Sequence, residues 1–481
     1  MSKKPMDKVK IYSKTKEILG DMLTPVSIYL NVRKQYPNSF LLESSDYHAK
    51  ENSISYIGLS PLAEYKVEKG EVMTKNVHGE TSMRSLDTVD LRTDFIDFVD
   101  SFEHTSKMER LVKAGLFGFT SYEAVQEFED IRFDLGNERY FDQPTMHYFF
   151  FEYVIAFDHF TNQIFITQNG IDENFSDNIE GIIEVISASQ TDDSVFETLG
   201  AIESEMTDAE YREIVLKAIE HCQRGDTFQM VLSRAFSTSF TGDDFFLYRA
   251  LRSINPSPYL FYFDYGSFKI FGSSPEAQLE VNEGQASIYP IAGTYRRTGD
   301  DEDDAERAKA LFEDVKENSE HVMLVDLARN DLSISGDAVT VEKFKEIQFF
   351  SHVIHLVSKV TNKLRKGKKA VDLAADTFPA GTLSGAPKHR AMQLIDKYEK
   401  SVRGYYGGMI GLMDFHGNFN HAILIRSFLS QHNKLHFRAG AGVVAKSNPD
   451  SEVQEVYNKT GALHSAIEKA NSMTKSIEAK S

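Results

Sequence analysis

At 481 residues the chain exceeds the length at which a single compact core usually stops growing, so two domains or one large, elaborated unit are expected. A formal net charge of −19 argues against general binding to nucleic acid, while leaving room for a small anion where basic groups converge. The single cysteine, Cys222, excludes an intramolecular disulfide and any cysteine-rich zinc or iron–sulfur site.

The basic amino-terminal stretch MSKKPMDKVK has no apolar run behind it, so no secretory signal is expected. Residues 26–42 and 54–67 read as short strands separated by polar turns, and 95–130 mix loops with a helix-like segment. Met146 to Phe157 and Gln163 to Gln168 read as two strands joined at Asp158–Asn162. The first of these is the longest apolar stretch, and it is too short to span a bilayer. A cytoplasmic protein without membrane or nucleic-acid partners is expected.

Residues 172–206 are acidic and rich in Ser and Thr, with one amphipathic helical portion, and mark a boundary. Thr207 and Glu210 form a capping-box pattern, with Tyr211, Val215 and Ile219 at helical spacing behind it. Gly225 and Asp226 end that helix, and Cys222 reads as one of its packed residues. Strands follow in FQMVLSRAF and at 258–263, 268–272, 277–281 and 286–290. One long helix is expected from about Asp303 to Leu324 and another from near Pro387. Strands at 405–413, 421–427 and 434–439 precede a last helix starting at Pro449, capped by Asn448, and the polar tail after about 471 is expected to fray.

There is no regular alternation of strand and helix and no Gly-rich phosphate loop. The pattern indicates an α+β fold with several antiparallel strands. The expected divisions are 1–175, a connecting segment 176–206, a main region 207–465 and a tail 466–481.

Two carboxylate pairs stand out. Glu317 and Glu320 are three apart on one helix, and Glu452 and Glu455 are three apart on the last, which puts each pair on one helical face. Two such faces across a pocket would give an oxygen-only site suited to Mg²⁺; on spacing alone, in a chain with 72 acidic residues, a solvated surface is the stronger reading. His352 and His355 flank two apolar residues, so on a strand only one of them faces a given site. The Pro/Gly/Ser/Thr-rich run Phe378 to Met392 could present backbone N–H groups to an anion at a helix start. Ala439 to Gly442 would let a ligand carboxylate approach the backbone. Arg426, in the apolar run AILIRS, needs an anionic partner if buried, either a protein carboxylate or a ligand.

Together these segments resemble the chorismate-binding enzymes, and within them the anthranilate synthase large subunits. The resemblance lies in GDTFQMVLSRAF (225–236), INPSPY (254–259), GSSPE (272–276), PIAGT (290–294) and EHVMLVDLARND (320–331). It continues in SHVIHLVS (351–358), PAGTLSGAPK (379–388), RGYYGG (403–408), AILIRS (422–427) and GAGVVAKSNPDSEVQEVYNK (440–459), with LLES (41–44) and SYIG (55–58) in the amino-terminal third.

The resemblance implies a large antiparallel β-sheet core with helices outside, a catalytic region at 207–465, and conversion of chorismate and ammonia to anthranilate and pyruvate, the first committed step of tryptophan biosynthesis. Ammonia would come from glutamine through a separate glutamine amidotransferase subunit. It implies Mg²⁺ ligands at Glu320 and Glu455, with Glu452 and Glu317 as additional or water-mediated partners; Glu317 also belongs to the implied catalytic set. His355 matches the active-site histidine, Thr382 a ring-side polar contact, and Glu276 the acid that protonates the departing C4 hydroxyl. Tyr406, Arg426, Gly440, Ala441, Gly442 and Lys459, with Gly293 and Thr294 of PIAGT, match substrate-binding positions.

Gln229 stands where water-using relatives carry a lysine base, and Ala292 where aminodeoxychorismate synthases carry a nucleophilic lysine; both favour amination to anthranilate. Feedback inhibition by tryptophan is implied at Glu43, Ser44, Pro258, Tyr259 and Leu260. Leu260, Ser53, Tyr295 and Arg296 depart from the usual pattern. Aminodeoxychorismate synthase and a catalytically inactive chorismate-binding regulatory protein are the alternatives.

Overall fold

The computed structural model describes residues 8–44, 53–106, 111–133, 141–188, 194–349 and 353–478. One hydrogen-bonded strand order runs through nearly all of it. Phe196–Ser204 pairs with Gln229–Gly242, which pairs with Lys434–Val444 and through it with Ser427–Gln431. From there the order passes through Lys269–Ser274, Tyr259–Asp264, Phe40–Glu43, Ile54–Glu68 and Met146–Asp158. It continues through Gly115–Thr120, Met409–Asp414, Phe419–Ile423 and Ala277–Asn282 to Gln285–Ile288 and Val353–Leu364. These pairings are all antiparallel. The parallel one joins Val9–Leu19 to Phe102–His104. The α+β expectation is met: a large antiparallel sheet with helices outside it.

Strands from the amino-terminal third pair directly with strands of the rest, as Phe40–Glu43 does with Tyr259–Asp264. The largest core cluster likewise joins Ile28 and Tyr29 to Phe245, Phe437 and Ile467. The abundant phenylalanines build a second layer between strands, where Phe40 stacks on Phe263 at 4.2 Å. Stacked and edge-on rings bury large areas without leaving a polar atom unpaired.

Several elements differ from the sequence reading. Residues 26–42 are not one strand: Pro25–Val32 is a helix, and the strand begins only at Phe40. The cause is local. Thr24 and Ser27 form a reciprocal capping box and Pro25 sits in the first turn, which outweighs the β-branched Val26 and Ile28. The expected helix from Asp303 is two helices, Asp301–Glu313 and Val315–Ser335, because Asp314 ends the first and its carboxylate caps the N–H groups of Lys316 and Glu317.

The boundary segment contributes a helix, Ile179–Ser187, and the sheet strand Phe196–Ser204. The last helix, Pro449–Glu478, continues through the expected tail. Thr474 and Asn471 hydrogen-bond the backbone of Phe196 and Thr198 and fasten it to that strand. Gly336–Phe349, paired with Val353–Leu364, is a strand the sequence reading did not place.

Candidate active site

Glu276 lies in the turn between Lys269–Ser274 and Ala277–Asn282, and its carbonyl accepts the Ile423 N–H at 3.0 Å. Its side chain is at the floor of a recess, partly reachable from outside but surrounded by protein. The Thr382 hydroxyl donates to its Oε1 at 3.0 Å. Burial pushes this carboxyl up to about 7, against the opposing pull of Thr382, Lys459 and Arg426. A carboxylic acid that keeps its proton near neutrality, beside two cations, is equipped to donate it.

Arg426 is not within a strand. It occupies the break between Phe419–Ile423 and Ser427–Gln431 in a left-handed conformation, φ 49°. Non-glycine residues adopt this at a cost, which here is offset by the hydrogen bond from Ser273 N to the Arg426 carbonyl. Burial lowers the proton affinity of its guanidinium and Glu276 raises it; the group stays charged. No described residue makes a hydrogen bond or ion pair with it, so of the two partners open to it from sequence, the protein carboxylate is absent at bonding distance.

His355 lies on Val353–Leu364 and its Nδ1 is bonded to the Gly293 carbonyl at 3.0 Å, the ring nitrogen donating. Burial lowers its proton affinity, the Gly293 bond opposes this, and Arg426 adds to it, so the neutral ring is favoured. Gly293 has φ +70° at a register shift in Ile291–Arg296, and a Cβ there would lie 3.1 Å from Glu317 Oε2. Only glycine fits this bulge, which brings the His355 strand and the Glu317 helix together. The Thr294 side chain and His352 lie outside the described residues.

The glutamates of Val315–Ser335 and Pro449–Glu478 face each other across the two helices. Burial chiefly raises the proton affinity of Glu317, Glu320 and Glu452, and repulsion from Glu455 adds to all three. Lys459 binds Glu455 at 2.7 Å and donates to the Gly440 carbonyl at 2.9 Å. Among the described residues no three His, Cys, Asp or Glu groups already stand close enough to hold a metal. The donor set nonetheless suits a hard cation: it is all carboxylate, its members repel one another, and Glu452 Oε2 is buried without a partner. The four glutamates fit Mg²⁺ in chemistry and would have to draw together around it.

Tyr406 is buried beside Leu383 and Ile423, which pushes its hydroxyl up to about 12. Gln229 reaches Gly442, where a Cβ would stand 2.7 Å from its Nε2. Gly440, Ala441 and Gly442 lie inside Lys434–Val444, paired with Ser233, Leu232 and Val231. At Gly440 the requirement for glycine comes from the neighbouring strand, since a Cβ would meet the Leu232 carbonyl.

The remaining candidates lie apart. Glu43 is 2% exposed and bonded to the Tyr248 hydroxyl at 2.5 Å and Arg252 Nε at 2.9 Å, with Leu260 opposite it in the sheet. The Ser44 carbonyl accepts from Ser53, Pro258 is half-buried, and the Tyr259 phenol reaches Glu280 at 2.6 Å. Cys222 is a buried helix residue whose thiol is pushed up by burial, as the sequence reading expected.

Two features escaped the sequence reading. The Tyr295 hydroxyl bonds to Asp314 Oδ2 at 3.3 Å, linking the PIAGT strand to the cap of the glutamate helix. Lys388 pairs with Asp331 at 2.9 Å, so the lysine closing PAGTLSGAPK ties two helices together. The Asp-x-x-Glu pattern at 314–317 signalled the first; nothing in local spacing signals the second.

A family model described as chorismate binding enzyme matches residues 38–465. Anthranilate synthase component 1 of Aquifex aeolicus is 35% identical over 472 residues, spanning 94% of each chain. Its counterpart in Acetivibrio thermocellus is 34% identical over 97% of this chain and 98% of that one. The crystal structure of anthranilate synthase component I from Streptococcus pneumoniae matches with a TM-score of 0.74 at 30% identity, covering 93% of this chain and 99% of that one. The menaquinone-specific isochorismate synthase of Escherichia coli matches with a TM-score of 0.69 at 17% identity over 95% and 94%, a likeness of fold alone.

Proposed function

The chain belongs to the chorismate-binding enzymes and is related along almost its whole length to anthranilate synthase component 1; from that premise we propose that it converts chorismate and ammonia to anthranilate and pyruvate. The observation that carries the reading is that Arg426, a guanidinium no described residue binds, lies beside Glu276, a carboxyl that burial pushes up to about 7. A dianionic substrate with a departing hydroxyl needs both.

Arg426 neutralises one carboxylate of the substrate, with Tyr406 and Lys459 beside it. Glu276 gives its proton to the C4 hydroxyl as nitrogen joins C2. His355, held by Gly293, faces the ring as a neutral imidazole that can take the C2 proton when pyruvate is expelled. Mg²⁺, held by Glu320 and Glu455 with Glu452 and Glu317 in support, would neutralise the ring carboxylate and draw electrons from the ring. Gln229 has no basic nitrogen with which to activate water, and Ala292 no amine to bond the substrate; both support ammonia as nucleophile.

The same reading includes a glutaminase partner as the source of ammonia and tryptophan as a feedback inhibitor at Glu43, Ser44, Pro258, Tyr259 and Leu260. Among the described residues no helix is long and apolar enough to cross a membrane. Purified protein supplied with chorismate, Mg²⁺ and excess ammonium salt near neutral pH should give anthranilate fluorescence and stoichiometric pyruvate. Aminodeoxychorismate, isochorismate or no product would overturn the proposal.

A further inference from the structure

Glu276 borders a cavity of about 40 Å³, together with Gln278, Leu327, Ala328, Asp331 and Thr377. Of the candidate site residues, only Glu276 and Thr382 border it. His355, Tyr406, Arg426 and the four helix glutamates do not. It is therefore a space bordered by the acid but not by the other groups that would bind the substrate.

The lining is apolar along the helix and polar at particular points. Gln278 is 3% exposed, donates its amide N–H to the Thr377 carbonyl at 3.4 Å, and leaves Oε1 without a protein partner. Asp331 is three residues along the helix from Ala328 and is paired with Lys388, whose side chain keeps 14% exposure. Lys388 also donates to the Thr377 carbonyl at 2.8 Å. A cavity needs about 10–15 Å³ per water and two or more polar partners to hold it, so this one has room for roughly two or three. Oε1 of Glu276 takes the Thr382 bond, and no described residue donates to Oε2.

We propose that this cavity is a proton-delivery path: water held by Gln278 and Asp331 returns a proton to Glu276 after each turnover. The inference rests on the reading of Glu276 as the acid. When the C4–O bond breaks, the Glu276 proton leaves with the hydroxyl as water and the carboxylate remains. One water in the cavity then gives a proton to that carboxylate and takes one from the next, and the deficit is passed to bulk water at the Asp331–Lys388 end. The nitrogen that has joined C2 releases one proton to solvent, so the count closes. Glu276 faces Thr382, Lys459 and Arg426, while Asp331 faces Lys388 and Glu129; no other charged group is set against either.

Gln278→Leu removes the acceptor at similar volume, and Ala328→Leu fills the space. With saturating chorismate and Mg²⁺ at fixed ammonium, rapid-quench measurement of the first turnover is compared with the steady state. The expected result is a first turnover within about twofold of wild type and a steady state about tenfold slower, partly restored by imidazolium as a small proton donor. Should either variant fail to fold, as judged by its melting curve, the other supplies the result. Slowing of both phases by one factor, or an unchanged steady state, overturns the proton path. Wild-type protein that makes no aminated product overturns the underlying reading, and the path with it.

Discussion

The Thr382 hydroxyl donates to Glu276 Oε1 across 3.0 Å, and this bond is the first of the influences that restrain the proton affinity burial raises. If Glu276 acts as an acid, its proton must be present, so activity is lost as pH rises through about 7 in the free enzyme. At constant free NH₃, kcat/KM should fall about tenfold per pH unit above that point. Because the folded carboxyl binds its proton more tightly than the unfolded one, its contribution to stability is full below about 4.5 and lost as pH rises from there through about 7. Glu276→Gln should remove the break and lower kcat by about 10²–10⁴. Thr382→Val removes a donor to the charged form and should move the break upward. A Glu276→Gln profile identical to wild type would assign the acid elsewhere.

Arg426 is a half-buried cation whose guanidinium no described protein group holds, the condition of a residue shaped for a ligand. Arg426→Met should therefore leave the melting temperature unchanged or higher while raising KM for chorismate. Loss of a desolvated charge pair costs about 2–5 kcal/mol, so kcat/KM should drop by roughly two orders of magnitude or more. Arg426→Lys should recover little, because a point charge cannot reproduce the planar fork. A fall in melting temperature without a change in KM would make Arg426 structural.

The four helix glutamates make an opposite pairing of stability and function. Burial and mutual repulsion raise the proton affinities of Glu317, Glu320 and Glu452, so neutralising one member of the cluster should not destabilise the protein. Mg²⁺ should raise the melting temperature of wild type and release protons. Glu320→Gln and Glu455→Gln should keep the wild-type melting temperature without metal and lose both responses. A metal-induced shift that survives in both variants would exclude these positions as ligands.

The sequence made the helical glutamate pairs visible because period-3.6 spacing is a local property, but it could not show whether the two faces meet. That depends on Asp314 breaking one expected helix into two and so aiming the second. Arg426 was visible as a charge in an apolar run; its left-handed break was not, since Ile425–Arg426–Ser427 carries no turn residue and the conformation is imposed by Ser273 and Ile423. The carboxyl-terminal helix looked frayed because its outward face is polar. Its order comes from Asn471 and Thr474 bonding to a strand some 270 residues earlier, a long-range fact that composition does not encode.

Tyr295 is one of four positions at which the sequence reading marked a departure from the usual family pattern, and its bond to Asp314 gives it a positioning task. Tyr295→Phe removes that bond and loosens the cap of the helix bearing Glu317 and Glu320. The half-saturating Mg²⁺ concentration should rise by about tenfold, the weak end of the range for loss of a support to a metal ligand. The rate at saturating Mg²⁺ should stay near wild type. A reduced rate at saturating metal with an unchanged Mg²⁺ requirement would place the role of Tyr295 elsewhere.

Gly440 separates two uses of glycine that sequence alone leaves joined. Its Cβ would run into the Leu232 carbonyl of the paired strand, so Gly440→Ala should force Lys434–Val444 away from Gln229–Gly242. Overpacking of this kind costs about 1–3 kcal/mol, visible as a lowered denaturation midpoint in the absence of any ligand. Gly442→Ala would instead press on the Gln229 amide, a movable side chain, and should cost less stability while altering the nucleophile side of the site. The expected signature is thus a stability loss dominant at 440 and a change in ammonia KM dominant at 442. Equal stability with a higher chorismate KM at 440 would restore the reading of Gly440 as a direct ligand contact.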